Sequence, residues 1–279
     1  MTYAIAVRLQ RGLAFAADTR TDAGIDNISQ FRKLHFWRRT GDRVLVLLTA
    51  GNLAVSQSVI SIINEQLSPE APTDRPTLMN VNSMYRAARL VGDAVREVRA
   101  IDGPSLDANK TGFSVSCILG GQVGDEAPRL FQIYDEGNFI EATDDTPYLQ
   151  IGEHKYGKPI LDRVVHPEMR LGEVAKLILL SVDATLRSNL SVGMPIDSCC
   201  MIATHWMCDA CGESTRMTTI IESFPTNAPK PSEPRLPAWT STKSDRQRSP
   251  SRPRSSSAIS NAGSFSFIKT SRKNAAYRV

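Results

Sequence analysis

The sequence predicts an α+β fold built in layers. Three observations carry this: blocks of short β-compatible runs, pairs of amphipathic helices between those blocks, and tight polar turns inside each block. Residues 3–9 and 12–17 read as two strands around a turn at Gln10-Arg11-Gly12. Residues 33–37 and 43–48 read as two more, joined by Arg38-Arg39-Thr40-Gly41-Asp42, so four strands fill the first fifty residues. A helix should follow, because Leu53, Ser56, Ile60, Ile63 and Leu67 fall near a 3.6-residue period until the Pro- and Asp-containing stretch 68–75 ends it. A second helix is predicted over 80–100, with Met84, Ala88, Val91 and Val95 on one face and Arg86, Arg89, Asp93, Arg96 and Glu97 on the other. Both stripes read as core faces rather than cofactor sites.

Strand character returns at 113–120, 129–134 and 138–142, the last two forming a hairpin through Asp135-Glu136-Gly137. Two further helices are predicted over 155–165 and 171–187, and residues 196–207 read as strand again. Antiparallel blocks separated by helix pairs argue against a doubly wound parallel sheet.

A hydrophobic content of 41% over 279 residues suits a folded core of one large or two small domains. No apolar run approaches the roughly 20 residues that span a bilayer. No basic stretch followed by an apolar one opens the sequence, so neither membrane nor export is expected, and the cytoplasm is the default compartment. Residues 224–279 hold 12 Ser, 7 Pro and 11 Lys and Arg against 2 Asp and Glu. That segment is net +9, so the overall +4 leaves the first 223 residues at −5. The basic pI belongs to the tail, which is too poor in large aliphatics to offset its ordering entropy and is expected to be disordered. A domain over 2–223 followed by this tail is the expected organisation. The tail's basic residues are not interleaved with spaced aromatics and match no RNA-binding motif, which argues against a nucleic-acid partner. Cys117, Cys199, Cys200, Cys208 and Cys211 form a poor disulfide framework. Cys208 and Cys211 have the spacing of half a zinc site, but the second pair is missing, so no metal is assigned.

The chemistry centres on Thr2. Behind Met1, a residue this small is tolerated by a methionine aminopeptidase, and removal of Met1 leaves one residue with both a hydroxyl and an α-amine. The amine titrates near ~8 and can take the hydroxyl proton, one of the recognised ways to activate such a nucleophile. Three features line up with it. Asp18 ends the second strand, Lys33 opens the third, and Gly51 lies between a strand and a helix. Hairpins can bring Thr2, Asp18 and Lys33 to one end of a sheet. Lys33 then favours an alkoxide, Asp18 orients Lys33, and the Gly51 N–H near a helix start can stabilise an oxyanion. Singly each has a plainer reading: a turn cap, a solvated strand-start lysine, a chain reversal.

Jointly these residues resemble the proteasome β-subunit superfamily of N-terminal nucleophile hydrolases, and within it the bacterial branch called Anbu, an ancestral β-subunit relative. The matching stretches are Thr2-Tyr3, residues 15–21, Asp26-Asn27-Ile28-Ser29, Phe31-Arg32-Lys33, Thr49-Ala50-Gly51-Asn52, residues 151–158 and residues 188–197. The resemblance implies a four-layer αββα sandwich of two antiparallel sheets flanked by helix pairs, with Thr2 as nucleophile supported by Asp18, Lys33 and the oxyanion glycine Gly51. The family's late Asp-x-x-Ser pair maps onto Ser188 and Ser191, so Ser191 matches and the aspartate is replaced. A serine that neighbours the threonine elsewhere in the family falls near Glu153. The resemblance also implies a peptide or amide substrate, no cofactor, and self-association into a ring or an open helical turn. No residue specifies whether an ATPase partner feeds the inner cavity.

The match stops after Asp197, where composition also changes; a shifted reading frame near that point is one explanation, and a native basic tail that binds nucleic acid is the alternative. Two functions follow from the sequence: an N-terminal threonine peptidase, or an assembling scaffold or binding subunit whose site is vestigial.

Overall fold

The computed structural model describes residues 1–22, 28–70, 72 and 74–203. The expected tail, the Cys208–Cys211 pair and Asp26-Asn27 lie outside the described residues. The chain forms β1 (Tyr3–Leu9), β2 (Gly12–Asp18), β3 (Arg20–Asp22), β4 (Ile28–Gln30), β5 (Leu34–Arg39) and β6 (Arg43–Gly51), then helices α1 (Leu53–Glu65) and α2 (Met84–Ala108). Strands β7 (Val115–Val123), β8 (Arg129–Ile133), β9 (Phe139–Glu141) and β10 (Tyr148–Gly152) follow, then α3 (Lys158–Val164), α4 (Leu171–Ser188) and β11 (Ile196–Ile202).

One antiparallel sheet has the order β10-β1-β2-β11 and the other β5-β6-β7-β8-β9, while β3 and β4 form a separate two-stranded ribbon. Side-chain alternation explains the layering. On β1, Tyr3, Ile5, Val7 and Leu9 pack with Leu161 of α3 and Val174, Ile178 and Val182 of α4, while Ala4 and Ala6 turn the other way. On β6, Leu45 and Leu47 meet α1 and α2, while Val44, Val46 and Leu48 meet Ala4, Leu13 and Phe15 of the first sheet. Helix pair, sheet, sheet and helix pair therefore enclose three apolar cores, the four-layer αββα arrangement. Both faces of the central strands are covered, which is why they read as continuous apolar runs instead of alternating ones. The two sheets approach closely where Phe15 lies over Gly120; a Cβ on that glycine would sit 2.7 Å from the phenyl ring.

Two elements were not expected. β10 pairs along β1 from Tyr3↔Gly152 to Val7↔Tyr148, and the β3–β4 ribbon pairs Arg20 to Asp22 with Gln30 to Ile28. The second helix is also longer than its predicted 80–100. It begins at the N-cap Ser83, whose side chain accepts from Arg86 N–H at 3.2 Å, and runs past Pro104 to Ala108. Leu106 packs on the core beneath the extension, and burial there outweighs the hydrogen bond that Pro104 cannot make.

Replacing Phe15 with Ala should cost about 3–5 kcal/mol, read from the urea midpoint, because the space against Gly120 cannot collapse while the sheets hold it open. A second expectation concerns acid. Burial, with Arg32 nearby, pulls His35 on β5 down to about 4 from its ordinary 6.5, against the opposing pull of Asp197. The native state thus binds that proton less readily than the unfolded chain. Its contribution is present above pH 6.5 and is lost as pH falls from 6.5 through 4, by at most about 3 kcal/mol. Denaturant midpoints between pH 7.5 and 4.5 should fall less in His35→Gln than in the wild type.

Candidate active site

Thr2 sits one residue before β1, in the middle of its sheet. Its carbonyl accepts the Glu153 N–H at 2.6 Å, and only 7% of the residue is exposed. Gly152, opposite, has φ +83°, and a Cβ there would lie 2.0 Å from the Thr2 carbonyl oxygen. Glycine is therefore required for β10 to close over the N-terminal residue. Met1 is exposed and lies at the rim of a cavity of about 750 Å³. Thr2, Thr21, Lys33, Thr49, Gly51 and Ser56 contribute to its wall.

Asp18 closes β2 with its side chain fully buried. Oδ1 accepts from the Tyr3 N–H at 2.9 Å and from Lys33 Nζ at 2.8 Å, and Oδ2 accepts from the Gly193 N–H at 3.4 Å. Lys33 reaches it from the residue before β5, and Nζ also donates to the Arg20 carbonyl at 2.6 Å. Burial acts on both partners: it pushes the Asp18 carboxyl up and pulls the Lys33 ammonium down, while their mutual attraction and the backbone donors work against it. Lys33 is thus a cation at the cavity floor whose proton is held less tightly than in water.

Gly51 ends β6 with φ +109°, and a Cβ there would meet the Ser114 carbonyl oxygen at 2.5 Å. The Asn52 N–H bonds to Ser114 on the β7 side at 2.8 Å, and the Thr49 N–H bonds to Lys33 on the β5 side at 3.0 Å. By strand alternation the Gly51 N–H points to the β5 side as well. β5 begins only at Leu34, so this donor faces the cavity. Asn52 then caps α1, its side chain accepting from the Ala54 N–H at 3.0 Å.

Thr2, Lys33 and Gly51 share the cavity wall, with Asp18 directly behind Lys33. Glu153 stands beside Thr2 through their backbone bond. Ser188 is exposed at the end of α4, and Ser191 lies in the loop after it, its N–H bonded to Asn189 Oδ1 at 2.9 Å; neither contributes to this wall. Three neighbours escaped the sequence reading: Asn189, which bonds Glu153 at 2.7 Å, the Gly193 N–H on Asp18, and Thr21, whose buried hydroxyl has no hydrogen-bond partner among the described residues. Asn189 sits between the two serines that were singled out, and its side-chain type carried no signal of its own. Among the described residues no group of three or more His, Cys, Asp and Glu gathers as a metal site, and no helix is long and apolar enough to cross a membrane.

Removing one member of the buried ion pair strands the other. Lys33→Ala should therefore destabilise the protein by about 3–5 kcal/mol, measured by denaturant unfolding, and Lys33→Met combined with Asp18→Asn should recover part of that loss.

The proteasome subunit family model matches residues 2–201. Among solved structures, Anbu from Hyphomicrobium sp. strain MC1 is 63% identical with a TM-score of 0.67, the match covering 73% of this chain and 83% of that one. Anbu (ancestral beta-subunit) from Yersinia bercovieri is 48% identical with a TM-score of 0.68, covering 74% and 85%. The helical assembly of the Anbu complex from Pseudomonas aeruginosa gives 48% identity and a TM-score of 0.67, covering 73% and 81%. No curated protein matches the chain. With the sandwich, the cavity and these relatives in agreement, the chain belongs to the proteasome subunit family and is similar to bacterial Anbu proteins.

Proposed function

We propose that the chain is a threonine peptidase or amidohydrolase that uses Thr2 as its N-terminal nucleophile after Met1 is removed. The observation that carries this reading is the common cavity of Thr2, Lys33 and the Gly51 N–H, with Asp18 holding Lys33 from behind. Thr2 Oγ attacks the substrate carbonyl carbon while its proton passes to the Thr2 α-amine. The oxyanion takes the Gly51 N–H. As the tetrahedral centre collapses, the C–N bond breaks and the leaving amine takes the proton from the α-ammonium, which leaves an ester on Thr2. Water then loses a proton to the α-amine and attacks the ester; the acid product departs and Thr2 Oγ is reprotonated. Lys33 keeps positive charge beside the hydroxyl throughout and needs no proton transfer of its own.

The cavity suits a peptide. About 750 Å³ accommodates a short segment of chain, and the one charged side chain among the named wall residues, Lys33, is already engaged by Asp18. The helical assembly of the Pseudomonas aeruginosa relative supports self-association of this chain into a ring or an open helical turn.

The intact mass should show Met1 absent, and an electrophile directed at N-terminal threonine should leave its adduct on Thr2. Thr2→Ala should reduce hydrolysis of a fluorogenic peptide by at least about 10³-fold. Unchanged hydrolysis in Thr2→Ala sinks the mechanism. Wild-type turnover at the Thr2→Ala level in Met1-free protein leaves an assembling subunit with a vestigial site.

A further inference from the structure

β10 is the outer strand of the first sheet, and its outer edge is unpaired among the described residues. The Arg8 N–H bonds to the Pro147 carbonyl and the Glu153 N–H to the Thr2 carbonyl, so by alternation the backbone groups of Leu149 and Ile151 face β1. Those of Tyr148 and Gln150 point the other way. The second sheet shows the mismatch from its own side. Ile140 on β9 pairs with Gln132, which shares its face of β8 with Leu130 of the core between the sheets. Ile140 therefore faces the first sheet. β10 covers β7 and β8 there, with Leu149 and Ile151 in the same core as Ile118 and Leu130. No strand of the first sheet lies beyond β10, and Ile140 stays 46% exposed.

A cleft of about 450 Å³ joins β10, β8 and α3, lined among others by Gln132, Asp145, Gln150, Lys158 and Asp162. Lys158 Nζ donates to Asp162 Oδ1 at 2.7 Å and to the Tyr148 hydroxyl at 3.0 Å, and that hydroxyl donates to the same Oδ1. Asp162 Oδ2 and the Asp145 carboxylate have no partner among the described residues. The Gln150 amide cannot turn over, because its Nε2 donates to the Glu153 carbonyl at 2.8 Å, and its buried Oε1 is thereby held without a donor. Three open acceptors beside one engaged cation make the cleft complementary to a positively charged donor.

We infer that the outer edge of β10 takes an extended segment of a partner protein as a fifth strand, with an aliphatic side chain over Ile140 and a lysine or arginine side chain toward Asp162. The backbone groups of Tyr148 and Gln150 fix the register of that strand. Its side chains fall in turn on the β9 side and on the α3 side, so the aliphatic and the basic residue are neighbours in its sequence. This surface lies outside the catalytic cavity and does not require turnover.

The probe is a fluorescein-labelled hexapeptide that alternates valine with threonine and carries arginine in place of its second threonine. Anisotropy is read as full-length Thr2→Ala protein is added, so that cleavage plays no part. Saturable binding is expected. Gln150→Pro puts a ring where the outward N–H was and leaves the bonds to β1 in place; it should weaken binding more than about tenfold. Ile140→Asp and Asp162→Lys should each weaken it about fivefold, and a peptide with glutamate for arginine should bind Asp162→Lys better than it binds the parent. Melting temperatures check that the variants fold; if Gln150→Pro does not, Ile140→Asp and the charge swap decide. Absence of saturable binding up to about 1 mM protein, or binding that none of the three substitutions changes, overturns the inference. So does an assembly that sediments as a smaller species in Gln150→Pro, because a second copy of this chain then occupies the edge.

Discussion

The carboxylate of Asp18 ties together three stretches of chain that are distant in sequence. It bonds the first strand through Tyr3, the entry to the second sheet through Lys33, and the loop ahead of the last described strand through Gly193. Because the site lies where both sheets end, Thr2 is positioned by β1, Lys33 by the segment before β5, and Gly51 by β6. No single element could hold that geometry, and the buried ion pair fixes it at one point. Its cost is desolvation of two charges, met by a lysine donor, two backbone donors and the Arg20 carbonyl. Such an arrangement favours rigidity over stability, which suits the nucleophilic role proposed for Thr2.

The parts legible in the sequence are those whose burial is written in side chains. Leu45 to Leu48 on β6, the apolar runs of β1 and β2, and the helical stripes of α1 and α2 announce themselves because each faces a core. Thr2, Asp18, Lys33 and Gly51 were nameable for a different reason: each is an unusual residue at a strand end, and their order along the chain resembles a known family. The β3–β4 ribbon was not legible, since Arg20-Thr21-Asp22 and Ile28-Ser29-Gln30 carry no apolar pattern and are defined by backbone pairing. β10 was hidden by the turn-like Asp144-Asp145-Thr146-Pro147 ahead of it. Asp102-Gly103-Pro104 looks like a helix end and fails to be one only because Leu106 has a core to reach.

The surroundings of Thr2 show the same division. Glu153 stands out as a departure from the family's serine, but the placement of its carboxylate depends on contacts with His154, Lys155 and Asn189 that spacing cannot reveal. Asn189 is 36 residues away in sequence and meets Glu153 only because α4 runs back along the sheet to end beside β10. Side chains that act by holding another side chain leave little trace in a linear pattern.

The N-terminal strand occupies an inner place in its sheet, between β2 and a strand that begins 145 residues later. The bond from Gly193 to Asp18 spans 175 residues. Such long-range pairings come late in folding, after extensive loop closure. During synthesis, therefore, Thr2 emerges well before Gly152 of its cavity wall and the Gly193 segment that anchors Asp18. A nascent chain carries Thr2 exposed, and the cleft around it is complete only once nearly two hundred residues have emerged. Timing is thus built into the strand order: on the function proposed above, this topology delays any reactivity of Thr2 until the Gly193 segment has been made.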